Sequence, residues 1–318
     1  MVEQNQATAK EDQMAGTQAR EAEATATLAG EPAPSTVATR RGPVEYASFG
    51  EGPVVLALHG AMGGYDQGLI LAQTIGGPGY RFVSVSRPGY LGTPLSAGRA
   101  PEEQADLLAH LLDALGIREA ALMAISGGGP SAIHFALRHR DRCWGLVLIS
   151  TCGEKIDTRL PLLFHLTKLL ARWPAFGNMM RRRTARDLER AARRSITDPV
   201  LRARTVQDPH TGPLLAALMA STLDRMALRL PGTENDIRVT RATTYPLEQI
   251  AVPVLVVHGT ADPLVPFTKH AKMLVDRIPG AELLALDGGE HAAIFTHRNE
   301  VRLRVTQFLG EHSKTEKR

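Results

Sequence analysis

The chain has 318 residues, 43% hydrophobic and 22% charged, with a formal net charge of +4 and two cysteines. That composition excludes a wholly disordered or collagen-like chain and a disulfide-stapled module; Cys143 and Cys152 lie in no CxxC or histidine cluster and read as small core residues. It holds no apolar run of the roughly 18 residues a membrane helix needs and no basic-then-apolar leader, so a soluble cytoplasmic protein with no membrane partner is expected.

In chain order, residues 1–40 are rich in Ala, Thr, Glu and Gln, contain no aromatic residue and have Leu28 as their only leucine. Such a segment cannot bury enough surface to offset its ordering entropy and reads as a disordered tail. RGPVEYASFGEGP (41–53) resembles a short hairpin with Gly50 and Gly52 at its turn. Then come near-continuous apolar runs of strand length: 54–60, 81–86, 120–126, 144–150, 252–259 and 281–287. Runs of this kind are expected of strands buried on both faces of a parallel sheet. Between the second and third, PEEQADLLAHLLDALG predicts a helix with Pro101 at its start, a leucine face, and Gly116 as its stop. Between the third and fourth, Pro130 opens SAIHFALRHR. The alternation is that of a doubly wound α/β sheet.

From about 153 to 246 the strand pattern stops. PLLFHLTKLLARW, DPVLRARTV with an Asp cap and Pro199 at the first helical position, and GPLLAALMASTLDRMALRL read as amphipathic helices. The expected organisation is a core of 41–152 and 246–312, interrupted at 153–245 by a helical cap over the ligand crevice of the sheet. Arg181, Arg182, Arg183, Arg186, Arg190, Arg193, Arg194, Arg202 and Arg204 crowd this insertion. Interspersed acids and the lack of interleaved aromatic residues favour a solvated helical face over nucleic-acid binding.

The strongest local signal is AISGGG (124–129), which ends an apolar strand and opens a helix. A serine hydroxyl becomes a useful nucleophile when its oxygen is exposed, beside a base, and facing donors for a developing oxyanion. A sharp strand-to-helix turn exposes Ser126 and needs small residues two positions to either side, here Ala124 and Gly128. HGAMGG (59–64) can bring a second backbone donor, so the N–H groups of Ala61 and Gly127 are the expected pair. A plain glycine turn is the alternative, and a phosphate cradle lacks the GxGxxG or GK[ST] spacing. Asp262, in VVHGTADPLVP, and His291, in LALDGGEHAAIF, each follow a strand and so converge at one sheet edge with Ser126. A neutral imidazole could take the serine proton while the aspartate fixes its tautomer. Glu154 and Asp157 are rival acids; His59, His134, His258, His270 and His297 are rival bases.

The pieces LHGAMGG, SRPGYLGTP, AISGGGPSAIHFALRHRDRCWGLVLIS, VPVLVVHGTADPLVP and GGEHAAIF, in this order, resemble the α/β-hydrolase superfamily over about residues 41–312. The resemblance implies an α/β-hydrolase fold: a mostly parallel eight-stranded sheet with helices on both faces and an inserted helical cap after strand 6. It departs from the family at Ser86, where an aspartate is usual, and at Leu91, which looks inserted before Gly92; both concern loop packing. Serine at position 126 argues against the family's dehalogenases and epoxide hydrolases, which carry aspartate there. The expected activity is hydrolysis of a carboxylic ester through an acyl-enzyme on Ser126, with no cofactor and no metal. Carbon–carbon bond hydrolysis, amide or aminopeptide hydrolysis and cofactor-free perhydrolase or haloperoxidase chemistry are alternatives, with a non-enzymatic receptor behind them. A small, partly apolar substrate is expected against Met62, Phe164, Trp173 and Met219; oligomeric state is not legible.

Overall fold

The computed structural model describes residues 32–313 apart from 157–168, 172 and 243. Eight strands form one sheet: β1 (Ser35–Thr39), β2 (Gly42–Phe49), β3 (Val54–Leu58), β4 (Arg81–Val85), β5 (Ala120–Ile125), β6 (Cys143–Ile149), β7 (Val254–Gly259) and β8 (Glu282–Leu286). Their spatial order is β1-β2-β4-β3-β5-β6-β7-β8. From β4 to β8 every pairing is parallel, while β2 joins β4 antiparallel and β1 closes a hairpin onto β2. The expected eight-stranded, mostly parallel sheet is therefore present.

Two features of the N-terminal reading need correction. Ordered structure begins inside the segment 1–40 taken as a tail, because Ser35–Thr39 pairs along its length with β2, from Ser35 opposite Tyr46 to Thr39 opposite Gly42. Residues 1–31 lie outside the described residues. The hairpin turn sits at residues 40–41, not at Gly50 and Gly52; those glycines, both at positive φ, turn the chain from β2 toward β3, with β4 lying between the two strands.

Alternation along the central strands builds a core on each face of the sheet. Leu56, Leu58, Leu122, Ala124, Leu146, Leu148, Val254 and Val256 pack on one face. There they meet helices α2 (Pro101–Ala114) and α3 (Gly129–Arg138), through residues such as Leu111 and Phe135. The intervening residues Val55, Ala57, Met123, Val147, Ile149 and Val257 pack on the other, against α1 (Tyr65–Ile75) through Ile70 and Ile75. A strand buried on both sides has no polar face to show, so each run reads as continuously apolar. Helix α2 starts at Pro101, with the Glu103 carboxylate accepting from the Arg99 and Ala100 amides. It stops before Gly116, which takes a left-handed φ of 64.

Between β6 and β7 the described residues hold helices and no strand: α4 (Pro174–Arg186), α5 (Leu188–Ala192), α6 (Pro199–Gln207), α7 (Thr211–Leu223) and α8 (Leu230–Ala242). The Asp198 side chain caps α6 at the Leu201 amide, 2.7 Å away, as its Asp-Pro start predicts. The single helix expected from Gly212 to Leu230 breaks instead at Asp224. Arg225 takes a φ of 45, and the turn delivers buried Arg229 to Asp66 on α1, where the guanidinium donates to both carboxylate oxygens at 3.1 and 2.5 Å. After the insertion, α9 (Phe267–Arg277) follows β7, and α10 (Ala293–Thr296) and α11 (Arg298–His312) follow β8. Among the described residues no helix is long and apolar enough to cross a membrane.

Phe135 is fully buried between α3 and the sheet. Phe135→Ala is expected to lower unfolding free energy by about 3–5 kcal/mol, the usual cost of emptying a large aromatic site; a urea midpoint shift worth under ~1 kcal/mol would contradict this packing. Among the described residues His59, His134, His258 and His270 are also buried. Burial and the nearby Arg87 charge hold His59 well below its ordinary value, burial lowers His258, and burial with the neighbouring Lys269 charge lowers His270 to about 4. Unfolding lets each recover its ordinary affinity for a proton, so between about pH 4 and 6.5 the unfolded chain binds more protons and stability falls as pH falls. Urea melts at pH 7.5, 5.5 and 4.5 should show that decline, and His270→Gln should flatten it; equal stability at all three would contradict the buried neutral state.

Candidate active site

Ser126 ends β5 at the centre of the sheet with φ of 51, a left-handed conformation rare for a residue with a Cβ. The strain is held from several sides. Thr151, just past β6, donates its hydroxyl to the Ser126 carbonyl at 2.6 Å, and the turn continues as a 3-10 segment, Ser126–Gly128, into α3. Gly128 must be glycine, since a methyl group there would lie 2.8 Å from the carbonyl oxygens of both Leu58 and His59. The buried Ala124 fills the position two residues before the serine.

His291 follows β8 and Asp262 follows β7, and both reach Ser126. His291 Nε2 lies 3.1 Å from Ser126 Oγ and Nδ1 lies 2.8 Å from Asp262 Oδ2. The other carboxylate oxygen of Asp262 accepts from the Leu264 and Val265 amides at 2.8 and 3.0 Å. Burial alone would raise the Asp262 carboxyl, but the His291 hydrogen bond and charge and the two amides outweigh it and hold the group below its ordinary value. The aspartate therefore stays ionised and keeps a proton on Nδ1, which leaves Nε2 as the acceptor facing the serine. Next to His291, Glu290 accepts from the Thr197 amide and hydroxyl, both at 2.7 Å, so the insertion grips the histidine loop.

Among the described residues none of the rival acids and bases is hydrogen-bonded to Ser126, although His258 Nε2 lies 3.5 Å from Asp262 Oδ2. Glu154 pairs with Lys269 at 3.3 Å, and Asp157 is outside the described residues. His134 is buried beside Tyr245, His297 contacts Thr296, and His258 Nε2 meets the Val265 carbonyl at 2.8 Å. His270 lies buried on α9. His59 is locked in the loop before Ala61, where its Nε2 accepts from the Arg87 amide at 3.0 Å.

Ala61 and Gly127 are neighbours: a methyl on Gly127 would lie 3.4 Å from the Ala61 nitrogen. Met62 follows at φ of 58, its amide donating to Thr233 Oγ1 on α8 at 2.9 Å. Its half-buried side chain packs with Leu223 onto Ala171, Met226 and Leu230. Met219, on α7, is half-buried with Leu218 against the core, as are Ile125 and Ala292, the neighbours of Ser126 and His291. Trp173, just before α4, is 66% exposed; Phe164, with Leu162, Leu163 and Leu166, lies outside the described residues.

The departure at Ser86 has a physical answer. Glu45 on β2 accepts from the Ser86 hydroxyl at 2.7 Å and from the Gly92 amide at 3.1 Å, so a carboxylate from another strand steadies this loop. Leu91 takes a φ of 48, and its amide donates to the Leu228 carbonyl of the insertion. Behind the loop lies a buried network that motif reading did not anticipate. Arg87 donates to Asp236 Oδ1 and Oδ2 at 2.9 and 2.6 Å, and the Tyr90 hydroxyl donates to Oδ2 at 2.6 Å. Arg87 stood inside the SRPGYLGTP motif, but its partner is 149 positions away.

Comparison with known proteins agrees with this architecture. The family model described as alpha/beta hydrolase fold matches residues 53–298. An alpha/beta hydrolase fold protein from Nakamurella multipartita is 34% identical, with a TM-score of 0.77 over 87% of this chain and 99% of that one. A 2-hydroxy-6-oxononadienedioate/2-hydroxy-6-oxononatrienedioate hydrolase from Paraburkholderia phymatum is 28% identical over 242 residues, 73% of this chain and 77% of that relative. A 2-hydroxy-6-oxo-6-phenylhexa-2,4-dienoate hydrolase from Burkholderia cepacia is 26% identical over 269 residues, 82% of this chain and 89% of that relative. With the sheet order, the serine turn and the family match in agreement, the chain belongs to the alpha/beta hydrolase family and is a hydrolase of that fold.

Proposed function

We propose that this protein is a serine hydrolase acting on carboxylic esters, with Ser126 as nucleophile, His291 as general base, Asp262 as its orienting acid, and the Ala61 and Gly127 N–H groups as oxyanion donors. One observation carries the reading: the hydrogen-bonded line from Asp262 Oδ2 through both His291 nitrogens to Ser126 Oγ, at 2.8 and 3.1 Å. In acylation, Ser126 Oγ attacks the ester carbonyl carbon while His291 Nε2 takes its proton. The carbonyl oxygen becomes an oxyanion against the two backbone donors, which is where such sites lower the barrier most. Collapse breaks the bond to the alkoxy oxygen, which leaves with the proton from His291. Water then attacks the acyl carbon as His291 takes its proton, and the acid departs as Ser126 recovers its hydrogen.

In this reading the insertion is a cap, and the half-buried Met62, Ile125, Leu218, Met219 and Ala292 favour a small, partly apolar acyl or alcohol group. Trp173 and Phe164 are proposed as further contacts on the strength of the sequence alone. A second reading, carbon–carbon bond hydrolysis of a dienoate-type substrate, draws support from the names of the two hydrolases above. Such substrates bring a carboxylate that a cation must meet. Arg87 and Arg229, two buried arginines of this region, are each bidentately engaged by an aspartate, which favours the uncharged ester.

Turnover of p-nitrophenyl butyrate by the purified protein is expected, with Ser126→Ala and His291→Ala each losing about 10⁴-fold or more in kcat and keeping the fold. A fluorophosphonate should label Ser126 in the unmodified protein. Equal turnover by the parent and Ser126→Ala would end the serine mechanism. A dienoate tested in parallel decides between the readings by the ratio of kcat/KM.

A further inference from the structure

The peptide between Gly60 and Ala61 is trans, so its carbonyl and its N–H point in opposite directions. The N–H is an oxyanion donor in the reading above. The carbonyl faces inward, onto the buried network. His59 Nε2 accepts from the Arg87 amide at 3.0 Å, which leaves the ring proton on Nδ1, and Nδ1–H donates to the Gly60 carbonyl at 2.7 Å. Arg87 Nη2 approaches the same oxygen at 3.4 Å, and Arg87 Nε donates to the His59 carbonyl at 3.0 Å. An amide whose oxygen accepts hydrogen bonds, most of all from a cation, withdraws electron density from its nitrogen, and its N–H becomes the stronger donor.

The cation is placed from outside the loop. Asp236 projects from α8, the last helix of the insertion, and binds both terminal nitrogens of Arg87, while Tyr90 donates to the same carboxylate. The side chains of the pair are 2% and 9% exposed. They lie directly behind the donor pair: a methyl built on Gly127 would sit 2.8 Å from Asp236 Oδ2, 3.5 Å from Arg87 Nη2 and 3.4 Å from the Ala61 nitrogen. A buried ion pair is a poor device for stability, since an apolar pair of similar volume often does as well or better. Here it puts a cation on one side of the Gly60 carbonyl and keeps the surroundings neutral when no oxyanion is present.

We propose that Arg87 and Asp236 are positioning residues for oxyanion stabilisation: Arg87, together with His59, polarises the Gly60–Ala61 peptide so that the Ala61 N–H binds a developing oxyanion more strongly, and Asp236 from the insertion holds Arg87 in that orientation. The inference rests on the serine-hydrolase reading. It makes the strength of the oxyanion site depend on the docking of α8, a helix that follows Ser126 by about a hundred positions.

The test uses the full chain and a trifluoromethyl ketone, which forms a hemiketal on Ser126 and places its oxygen at the oxyanion position. Two variants are made: Arg87→Met with Asp236→Leu, which removes the pair and leaves no buried charge, and Asp236→Glu, which keeps the charge balance and shifts the carboxylate that holds Arg87. For the double variant, with thermal melting close to that of the parent, kcat on the ester should fall about tenfold at nearly constant KM, a modest part of what losing a whole donor costs. The ketone Ki should rise by the same factor, and the pH at which the ¹⁹F signal of the hemiketal titrates should move up by about one unit, since one unit is tenfold. Asp236→Glu should move all three in the same direction, and it decides the matter if the double variant does not fold. Unchanged kcat, Ki and hemiketal titration in a folded variant would overturn the inference, as would a rise in KM alone. Ser126→Ala separates the two levels: if it retains turnover, the serine mechanism has failed; if it is dead while the folded pair variants behave as the parent, only the role of the pair has failed.

Discussion

A serine backbone bent into the left-handed region at the end of the central strand is the constraint from which the rest of the arrangement follows. Holding Ser126 at φ of 51 costs on the order of 1–3 kcal/mol, and such a conformation persists only where its surroundings over-determine it. Here β5 is clamped between β3 and β6, the Thr151 hydroxyl holds the Ser126 carbonyl, and glycine at 128 lets the turn close against the backbone of Leu58 and His59. The bend lifts one hydroxyl out of the sheet edge to where the ends of β7 and β8 deliver the carboxylate and the imidazole. Parallel strands make that convergence possible, because all their carboxyl ends lie on one side.

The helical insertion is joined to that edge by polar contacts at several separate points. Thr197 holds Glu290 beside the histidine, Thr233 receives the Met62 amide, Thr222 meets Gln67, Arg229 is buried on Asp66, and Asp236 is buried on Arg87. The first four reach a residue within a few positions of the histidine loop or the HGAMGG turn, and Arg87, on the SRPGYLGTP loop, bonds the His59 and Gly60 carbonyls of that turn. A segment attached only by apolar contact could slide with little change in energy. One attached through two desolvated ion pairs has a single favoured seat, since separating either pair strands a charge away from water.

Much of this was legible from residues alone, and the reason is burial. The core strands β3 to β7 announced themselves because both of their faces are covered, which forces apolar residues at successive positions, whereas β8 is apolar although Leu283 and Ala285 on this edge strand are exposed. Ser126, Asp262 and His291 were found because each follows such a run, and the Asp-Pro start of α6 carried its own cap. The remainder was hidden for equally physical reasons. Strand β1 is a polar edge strand with mostly exposed side chains, held by backbone pairing to β2, so Ser35–Thr39 looks like tail. The glycines after β2 signal a turn but not that β4 will lie between β2 and β3. The break at Asp224 is set by a tertiary partner, Asp66, that no local pattern contains. Arg87 and Asp236 are individually unremarkable charged residues, and only the fold makes them a desolvated pair. The carboxylate expected at position 86 arrives from Glu45, which no motif centred on that loop would reveal.

The order of the elements along the chain bears on how the hydrolase comes into being. Strands β3 to β6 and the bent serine precede the insertion, whereas the strands that lead to Asp262 and His291 follow it. During synthesis, when amino-terminal parts emerge first, Ser126 is built well before the His291 imidazole that comes to lie against its hydroxyl. A ribosome-bound fragment reaching only to the end of β6 holds a hydroxyl no more reactive than any other serine, beside an open flank of β6 where β7 has yet to add. Ser126, Asp262 and His291 thus come together last, when the final two strands seal that flank.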